Sequence, residues 1–150
     1  MVFWRPRPGA RWAEAVISEF LYESNKNLGN DPVSNLHLLS HTGCSHSVAV
    51  VVTSLAEISS RQRTIYLQWL DGEELSRYQG FRNRISADCF LLARAIVKHT
   101  LAGYLQLSPN EVSITLSAQG KPALLQQSSY LPAIHFSISH KLNRVMVGFS

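Results

Sequence analysis

The sequence is poor in charged residues, in cysteine and in long apolar runs. Charged residues make up 16% of the chain, below the roughly 25% of typical globular domains. Two cysteines, Cys44 and Cys89, are too few for a disulfide framework. No apolar run approaches the ~18 residues of a membrane span, and the first twenty residues lack the apolar core of a secretory signal. We therefore expect a reduced, cytoplasmic protein without a membrane partner.

Acidic residues are scarce in the second half of the chain. From Ser76 onward there are two acids, Asp88 and Glu111, against eight cations: Arg77, Arg82, Arg84, Arg94, Lys98, Lys121, Lys141 and Arg144. Such an imbalance attracts anions, which include nucleic acid, phosphorylated small molecules and acidic proteins. No stacked-aromatic strand or nucleic-acid recognition motif accompanies it, so nucleic acid is not an expected partner.

The middle of the chain, from 47 to 105, predicts a strand and helices. The β-branched segment 47–55 indicates a buried strand. Asp71 followed by Glu74 is typical of a capping box at a helix start. Residues 85–105, "ISADCFLLARAIVKHTLAGYL", have helical spacing of apolar residues and predict a long helix. Its predicted N-cap is Ser86, and Arg94 and Lys98, four residues apart, are predicted on its flank.

The last forty residues predict strands and turns. Residues 111–117 alternate and predict a strand, and "AQGKP" at 118–122 predicts a turn. Two closing strands are predicted at Ile134–Ile138 and Val145–Phe149, with Ser139 and His140 at the corner between them. Hairpin corners favour Asn-Gly or Asp-Gly, so a serine and a histidine near two cations indicate a functional role there.

Four segments in order carry a resemblance to a known family. "LSRYQGF", "FLLARAIVKHTLAGYL", "GKP" and "FSISH" resemble the motifs of the 4′-phosphopantetheinyl transferases, specifically the larger surfactin-synthetase type. The resemblance covers 47–150 and leaves 1–46 as an N-terminal extension outside it. It implies an α+β fold, with an antiparallel sheet packed on a long helix, that forms one half of the family's pseudo-dimer.

The resemblance also implies a reaction and a binding site. The family moves the phosphopantetheine arm of coenzyme A onto a serine of an acyl or peptidyl carrier protein. By resemblance, Lys121 contacts the nucleotide end of coenzyme A, and Ser139 and His140 contact its 3′-phosphate region. Arg77 matches a basic residue that reaches the same phosphate. Fixed cations and short hydrogen-bonding side chains suit phosphate oxygens.

The sequence departs from the family pattern in ways that affect the reaction. Cys89 stands where the family usually has an arginine, for which Arg84 or Arg94 could compensate. The family's Mg²⁺ ligands and catalytic acid follow the Ser-His hairpin, whereas Glu111 is the only acid after Asp88. We therefore expect no catalytic or metal-binding residue in this chain, and an incomplete enzyme that needs self-association or a second half. Whether the chain acts alone stays open.

Alternative interpretations stay open beside this one. The basic face could belong to a non-catalytic module that binds coenzyme A or an acidic carrier protein, and independence from Mg²⁺ would distinguish the two. Ser139 and His140 could form an ordinary surface turn, and Arg77 an ordinary helix-surface arginine. His41, Cys44 and His46 could bind a metal, but a structural zinc site takes four ligands, and no second pair accompanies them.

Overall fold

A computed structural model describes residues 39–41, 48–125 and 133–150. These ranges contain three α-helices and six strands, in the order β1 (Leu39–His41), β2 (Val48–Ser54), α1 (Ser60–Gln68), α2 (Gly72–Gln79), α3 (Arg84–Leu105), β3 (Ile114–Leu116), β4 (Pro122–Leu124), β5 (Phe136–Lys141) and β6 (Arg144–Phe149). Short 3₁₀ turns lie at Leu55–Glu57 and Pro109–Glu111. None of the described helices has the length and apolarity needed to span a bilayer.

The larger sheet has four antiparallel strands in the order β1-β2-β6-β5. Alternate residues of β6 face opposite sides, so Val145, Val147 and Phe149 are buried while Arg144 and Met146 are exposed. The buried face of β6 packs on α3. The strand predicted at 47–55 is confirmed by β2, and the predicted packing of an antiparallel sheet on a long helix is confirmed as well.

Helix α3 is the centre of the fold. Its 22 residues contact β6, α1 and α2, so almost every side of the helix from Ala87 to Ala102 is covered. The helix predicted at 85–105 is confirmed, but the N-cap predicted at Ser86 is wrong. Asn83 caps the helix, and its Oδ1 accepts a hydrogen bond from the Ile85 N–H at 2.8 Å. Asparagine is as good an N-cap residue as serine. Both Asn83 and Ser86 could therefore cap the helix, and the helix begins after Asn83.

Both short helices begin with a capping box. In α2 the predicted box is confirmed, because the Glu74 N–H donates to Asp71 Oδ1 at 2.8 Å and the Asp71 N–H donates to Glu74 Oε2 at 3.2 Å. Helix α1 has the same reciprocal pair between Ser59 and Gln62. Each box satisfies two backbone donors that the helix itself leaves unpaired.

The smaller sheet pairs β3 with β4. The strand predicted at 111–117 is shorter than expected, because Pro109 opens a 3₁₀ turn that extends to Glu111 and the pairing begins only at Ile114. The predicted turn at 118–122 is confirmed. Gly120 adopts φ 75° there, a conformation that glycine takes without steric cost.

The hairpin of β5 and β6 turns later than the sequence predicts. Strand β5 continues through Ser139 and His140 to Lys141, which pairs with Arg144. The two-residue turn is formed by Leu142 and Asn143, so the corner predicted at Ser139-His140 is wrong. Leu142 has φ 56°, which leucine rarely adopts. The position with positive φ therefore carries a residue that does not signal it in the sequence.

Candidate functional site

Ser139 and His140 lie side by side on β5, which is an edge strand of the four-stranded sheet in the described part of the chain. His140 pairs with the buried Val145, whereas Ser139 pairs with the exposed Met146. His140 therefore points to the α3 side of the sheet and Ser139 to the opposite side. A ligand that contacts both side chains must straddle the edge of β5. Edge strands also leave backbone N–H and C=O groups without a strand partner, and these can bind ligand oxygens.

Lys121 stands in the turn between β3 and β4. Its backbone is fixed, because the Ser117 N–H donates to the Lys121 carbonyl at 2.7 Å and the Lys121 N–H donates to Ser117 Oγ at 3.2 Å. The side chain itself is exposed, and it has no ion-pair partner among the described residues. A cation on a fixed backbone loses less freedom when it binds an anion than one on a flexible loop.

Arg77 is exposed in the last turn of α2. The central carbon of its guanidinium lies 5.5 Å from the centroid of the Phe90 ring, within the range of a cation–π contact. Arg94 approaches the same ring at 5.2 Å. The ring of Phe90 thus holds the guanidinium of Arg77 in place by its face and leaves the N–H donors at the edge of this group free for an anion.

The four residues predicted to bind coenzyme A come from three neighbouring regions. Strand β4, which follows Lys121, contacts β5, and α3 contacts both β5 and α2. Only Ser139 and His140 are placed next to each other, whereas Lys121 and Arg77 approach from separate elements.

A second group of charges lies at the amino-terminal end of α3. Arg63 of α1 and Arg84 both contact Oδ1 of Asp88, the latter at 3.4 Å through its Nε. The hydrogen bond from Arg63 to Asp88 raises the pKa of this arginine, so its charge is fixed. The Arg84–Asp88 pair could have been found from its spacing of four residues. The contact of Arg63 could not, because 25 residues separate it from Asp88.

Cys89, which replaces the family's usual arginine, is buried. Its Sγ donates to the carbonyl of Leu142 at 3.6 Å, and burial raises the pKa of its thiol. The thiol therefore ties the hairpin turn to α3 and does not face an anion as a charged group. Of the two arginines that could compensate, Arg84 is exposed over 65% of its side chain, whereas Arg94 is buried.

The predicted position of Arg94 and Lys98 on the flank of α3 is wrong. Lys98 is fully buried, with its Nζ 2.8 Å from Glu74 Oε2, and the Nε of Arg94 lies 3.2 Å from Glu74 Oε1. Both contacts are ion pairs without good hydrogen-bond geometry. Burial lowers the pKa of Arg94, and the charge of Glu74 opposes this effect. Helix α2 covers these side chains, which the pattern of α3 alone does not reveal.

The described carboxylates do not form a magnesium site. No three His, Cys, Asp or Glu side chains cluster within residues 48–125 and 133–150. Glu74 and Asp88 are engaged by cations, and Glu111 accepts a hydrogen bond from the Ser108 N–H at 2.8 Å. The described residues therefore contain no carboxylate cluster for Mg²⁺, which proteins usually bind through one or two carboxylates. Cys44 and His46 lie outside the described residues.

Comparison with solved structures establishes the fold. A holo-(acyl-carrier-protein) synthase from Bacillus anthracis str. Ames, solved in complex with CoA (3′,5′-ADP), aligns with a TM-score of 0.54 and 17% identity over 68% of this chain and 91% of that one. The Neisseria meningitidis holo-[acyl-carrier-protein] synthase gives 0.52 and 17% over 68% and 94%. The Helicobacter pylori synthase, in complex with coenzyme A, gives 0.50 and 14% over 68% and 96%.

Sequence comparison supplies the family. No curated protein sequence matches the chain. The family model described as "4′-phosphopantetheinyl transferase, N-terminal" matches residues 57–148, which is more than half of the 150 residues. The matched range includes α1 to α3, the GKP turn and the Ser139-His140 pair on β5. The chain belongs to the 4′-phosphopantetheinyl transferase family.

Proposed function

We propose that this chain is the coenzyme-A-binding, amino-terminal half of a surfactin-synthetase-type 4′-phosphopantetheinyl transferase. In this proposal residues 47–150 form the binding subdomain and residues 1–46 form an extension. The family model that matches 57–148 is itself described as N-terminal, and two of the similar structures are complexes with coenzyme A. The family model supports the amino-terminal assignment, and the two complexes support coenzyme A as the ligand.

The exposure of the cationic side chains carries the proposal. Coenzyme A presents a 3′-phosphate and a pyrophosphate, and each needs donors that no internal carboxylate already engages. Arg77 and Lys121 are exposed, and neither has an ion-pair partner among the described residues. We assign Lys121 to the nucleotide end, Ser139 and His140 to the 3′-phosphate region, and Arg77 to the same phosphate. Charge-assisted hydrogen bonds of this kind are about twice as strong as neutral ones.

The reaction proposed for the complete enzyme is transfer to a carrier-protein serine. The serine oxygen bonds to the β-phosphorus of coenzyme A, the bond from that phosphorus to the bridging oxygen breaks, and adenosine 3′,5′-bisphosphate leaves. The hydroxyl proton must pass to a base. Since Glu74, Asp88 and Glu111 are engaged elsewhere, we propose that the base and the carboxylates that bind Mg²⁺ belong to a second half. This chain's residues would hold and orient the nucleotide.

The partners follow from this division of roles. We propose that the chain works with coenzyme A, with an acyl or peptidyl carrier protein, and with a second half that completes the site. Self-association is a weaker way to complete it, because a second copy brings the same engaged carboxylates. A cytoplasmic location stays a prediction from the composition.

A transfer assay read by intact-protein mass spectrometry tests the half-site proposal. The chain, coenzyme A and Mg²⁺ are mixed with an apo acyl carrier protein, while a two-half family enzyme runs in parallel as the positive control. We expect that the chain binds coenzyme A and that the mass of the carrier stays unchanged. A mass gain of one phosphopantetheine arm would show that the chain completes the site without a second half. A chain that does not bind coenzyme A would contradict the whole proposal.

A further inference from the structure

Leu142 displays an apolar side chain from a strained position. It is the first residue of the turn between β5 and β6, its φ is 56°, and 81% of it is exposed. Glycine and asparagine adopt this left-handed conformation far more readily than leucine. Packing within the described part of the chain does not compensate for this strain, since most of the surface of Leu142 faces solvent. An unfavourable backbone conformation combined with an exposed apolar side chain points to a role outside the fold.

The turn that carries Leu142 is held from two sides. The Sγ of Cys89 donates to the Leu142 carbonyl at 3.6 Å, and the Leu55 N–H donates to the Asn143 carbonyl at 2.8 Å. One contact fixes the turn to α3 and the other fixes it to the end of β2. Leu142 therefore lies on an anchored turn. A partner that binds it causes little further loss of backbone conformational entropy.

Two exposed cations flank this turn. Lys141 and Arg144 pair with each other at the end of the β5–β6 ladder, and both belong to the sheet face opposite α3. We call Leu142, together with the exposed cations Lys141 and Arg144, the Leu142 surface.

The charge of the Leu142 surface is positive. Lys141 and Arg144 form the last pair of the β5–β6 ladder and flank Leu142 directly. The acid next to Cys89 on α3, Asp88, is buried and already contacts Arg63 and Arg84. The surface thus offers an apolar centre and a cationic rim, and its complement is an apolar site surrounded by carboxylates.

We propose that the Leu142 surface docks an acidic protein that presents apolar residues within a ring of carboxylates. On the proposed function, on which this identification rests, that protein is the apo carrier protein. The apolar centre distinguishes such a partner from nucleic acid, which would be bound through phosphates and would gain nothing from Leu142. The cationic rim guides an acidic partner toward the surface, and the leucine supplies the buried contact at its centre.

Binding of an apo acyl carrier protein to the full chain tests the proposal, with Leu142→Gly as the main variant. Glycine relieves the backbone strain and removes the apolar group, so we expect Tm to rise by about 2–6 °C while carrier affinity falls about tenfold or more. Coenzyme A affinity should stay unchanged, because Leu142 is not assigned to that site. Leu142→Asn, which also tolerates the left-handed backbone, should lose carrier affinity to a similar extent.

Leu116→Ser is the matched control, since Leu116 is 54% exposed on the smaller sheet and should leave carrier affinity within twofold. Unchanged carrier affinity in both Leu142 variants would overturn the docking proposal, as would a wild-type chain that binds coenzyme A but no carrier. A DNA duplex that binds wild type and Leu142→Gly equally well and displaces the carrier would also overturn it. A chain that binds the carrier through Leu142 but no coenzyme A would contradict only the proposed function.

Discussion

Two groups of cations in this molecule have the same chemistry and opposite surroundings. Between α2 and α3, Arg94 and Lys98 are buried against Glu74. At the surface, Arg77 and Lys121 are exposed and have no described carboxylate partner. The buried cations stabilise the contact of two helices, whereas the exposed cations are free to bind an anion. A cation that lies beside a buried carboxylate has a structural role. A cation that is exposed and has no such partner can bind an anionic ligand.

The largest expected effect comes from removing the buried carboxylate. Glu74→Gln keeps an oxygen for the Asp71 N–H but leaves two buried cations without a counter-charge. Breaking a buried ion pair in this way costs about 3–5 kcal/mol, so we expect a loss of this size in the free energy of unfolding, measured by urea denaturation. Glu73→Gln, on the exposed side of the same helix, should change it by less than about 0.5 kcal/mol. A change as small as that of the control in Glu74→Gln would show that the ion pairs of Glu74 with Arg94 and Lys98 do not stabilise the fold.

The next expected effect is a pH dependence of stability that comes from a buried histidine. Burial lowers the pKa of His99 to about 4 from its ordinary 6.5. The unfolded chain therefore binds a proton more readily than the folded one between these values, and stability falls as the pH drops from about 6.5 toward 4. The loss in the free energy of unfolding should reach roughly 2–3 kcal/mol. Urea denaturation at several pH values between 6.5 and 4 measures it.

His99→Gln is the matched variant for this pH series. The ring of His99 stacks on Trp69, with 5.9 Å between the centroids, so the variant is expected to be less stable at every pH. The component of the pH dependence that comes from His99 should disappear. A variant whose stability still falls as steeply as wild type between pH 6.5 and 4 would show that His99 is not the titrating group.

A smaller effect should distinguish the two groups by salt. Exposed charges are screened at a Debye length of about 8 Å in 0.15 M salt, whereas buried pairs are screened much less. Raising the salt concentration from 0.05 to 0.5 M should therefore weaken coenzyme A binding severalfold, as measured by calorimetry. The same change should leave the cost of Glu74→Gln almost unaltered. Coenzyme A affinity that does not respond to salt would mean that the exposed cations do not hold its phosphates.

Much of the fold follows from local patterns in the sequence. The apolar spacing of 85–105 and the reciprocal pair of Asp71 and Glu74 predict α3 and the start of α2, because both signals depend on residues within one or two turns. The hairpin corner was misplaced because the residue with positive φ is a leucine, Leu142, and not a glycine. Local sequence rules fail where a residue adopts a backbone conformation that its residue type disfavours.

The site could be predicted only in part, for a related reason. The type and order of Lys121, Ser139 and His140 follow from motifs that resemble the family. The opposite directions of Ser139 and His140 follow from the strand register, which the misplaced corner concealed. Burial of Lys98 depends on α2, which lies almost twenty residues earlier in the chain. Pairings between distant segments, such as Arg63 with Asp88, leave no local signal.

Titration of coenzyme A by isothermal calorimetry tests the central claim, that the exposed side chains assigned to the site bind this ligand. Lys121→Ala and His140→Ala are compared with wild type, and Arg61→Ala, an exposed cation on α1, is the control. We expect each site variant to bind about tenfold more weakly and the control to bind as wild type. The loss in His140→Ala should shrink with dephospho-coenzyme A, because the 3′-phosphate is its assigned contact. Wild-type affinity in both site variants would contradict the claim.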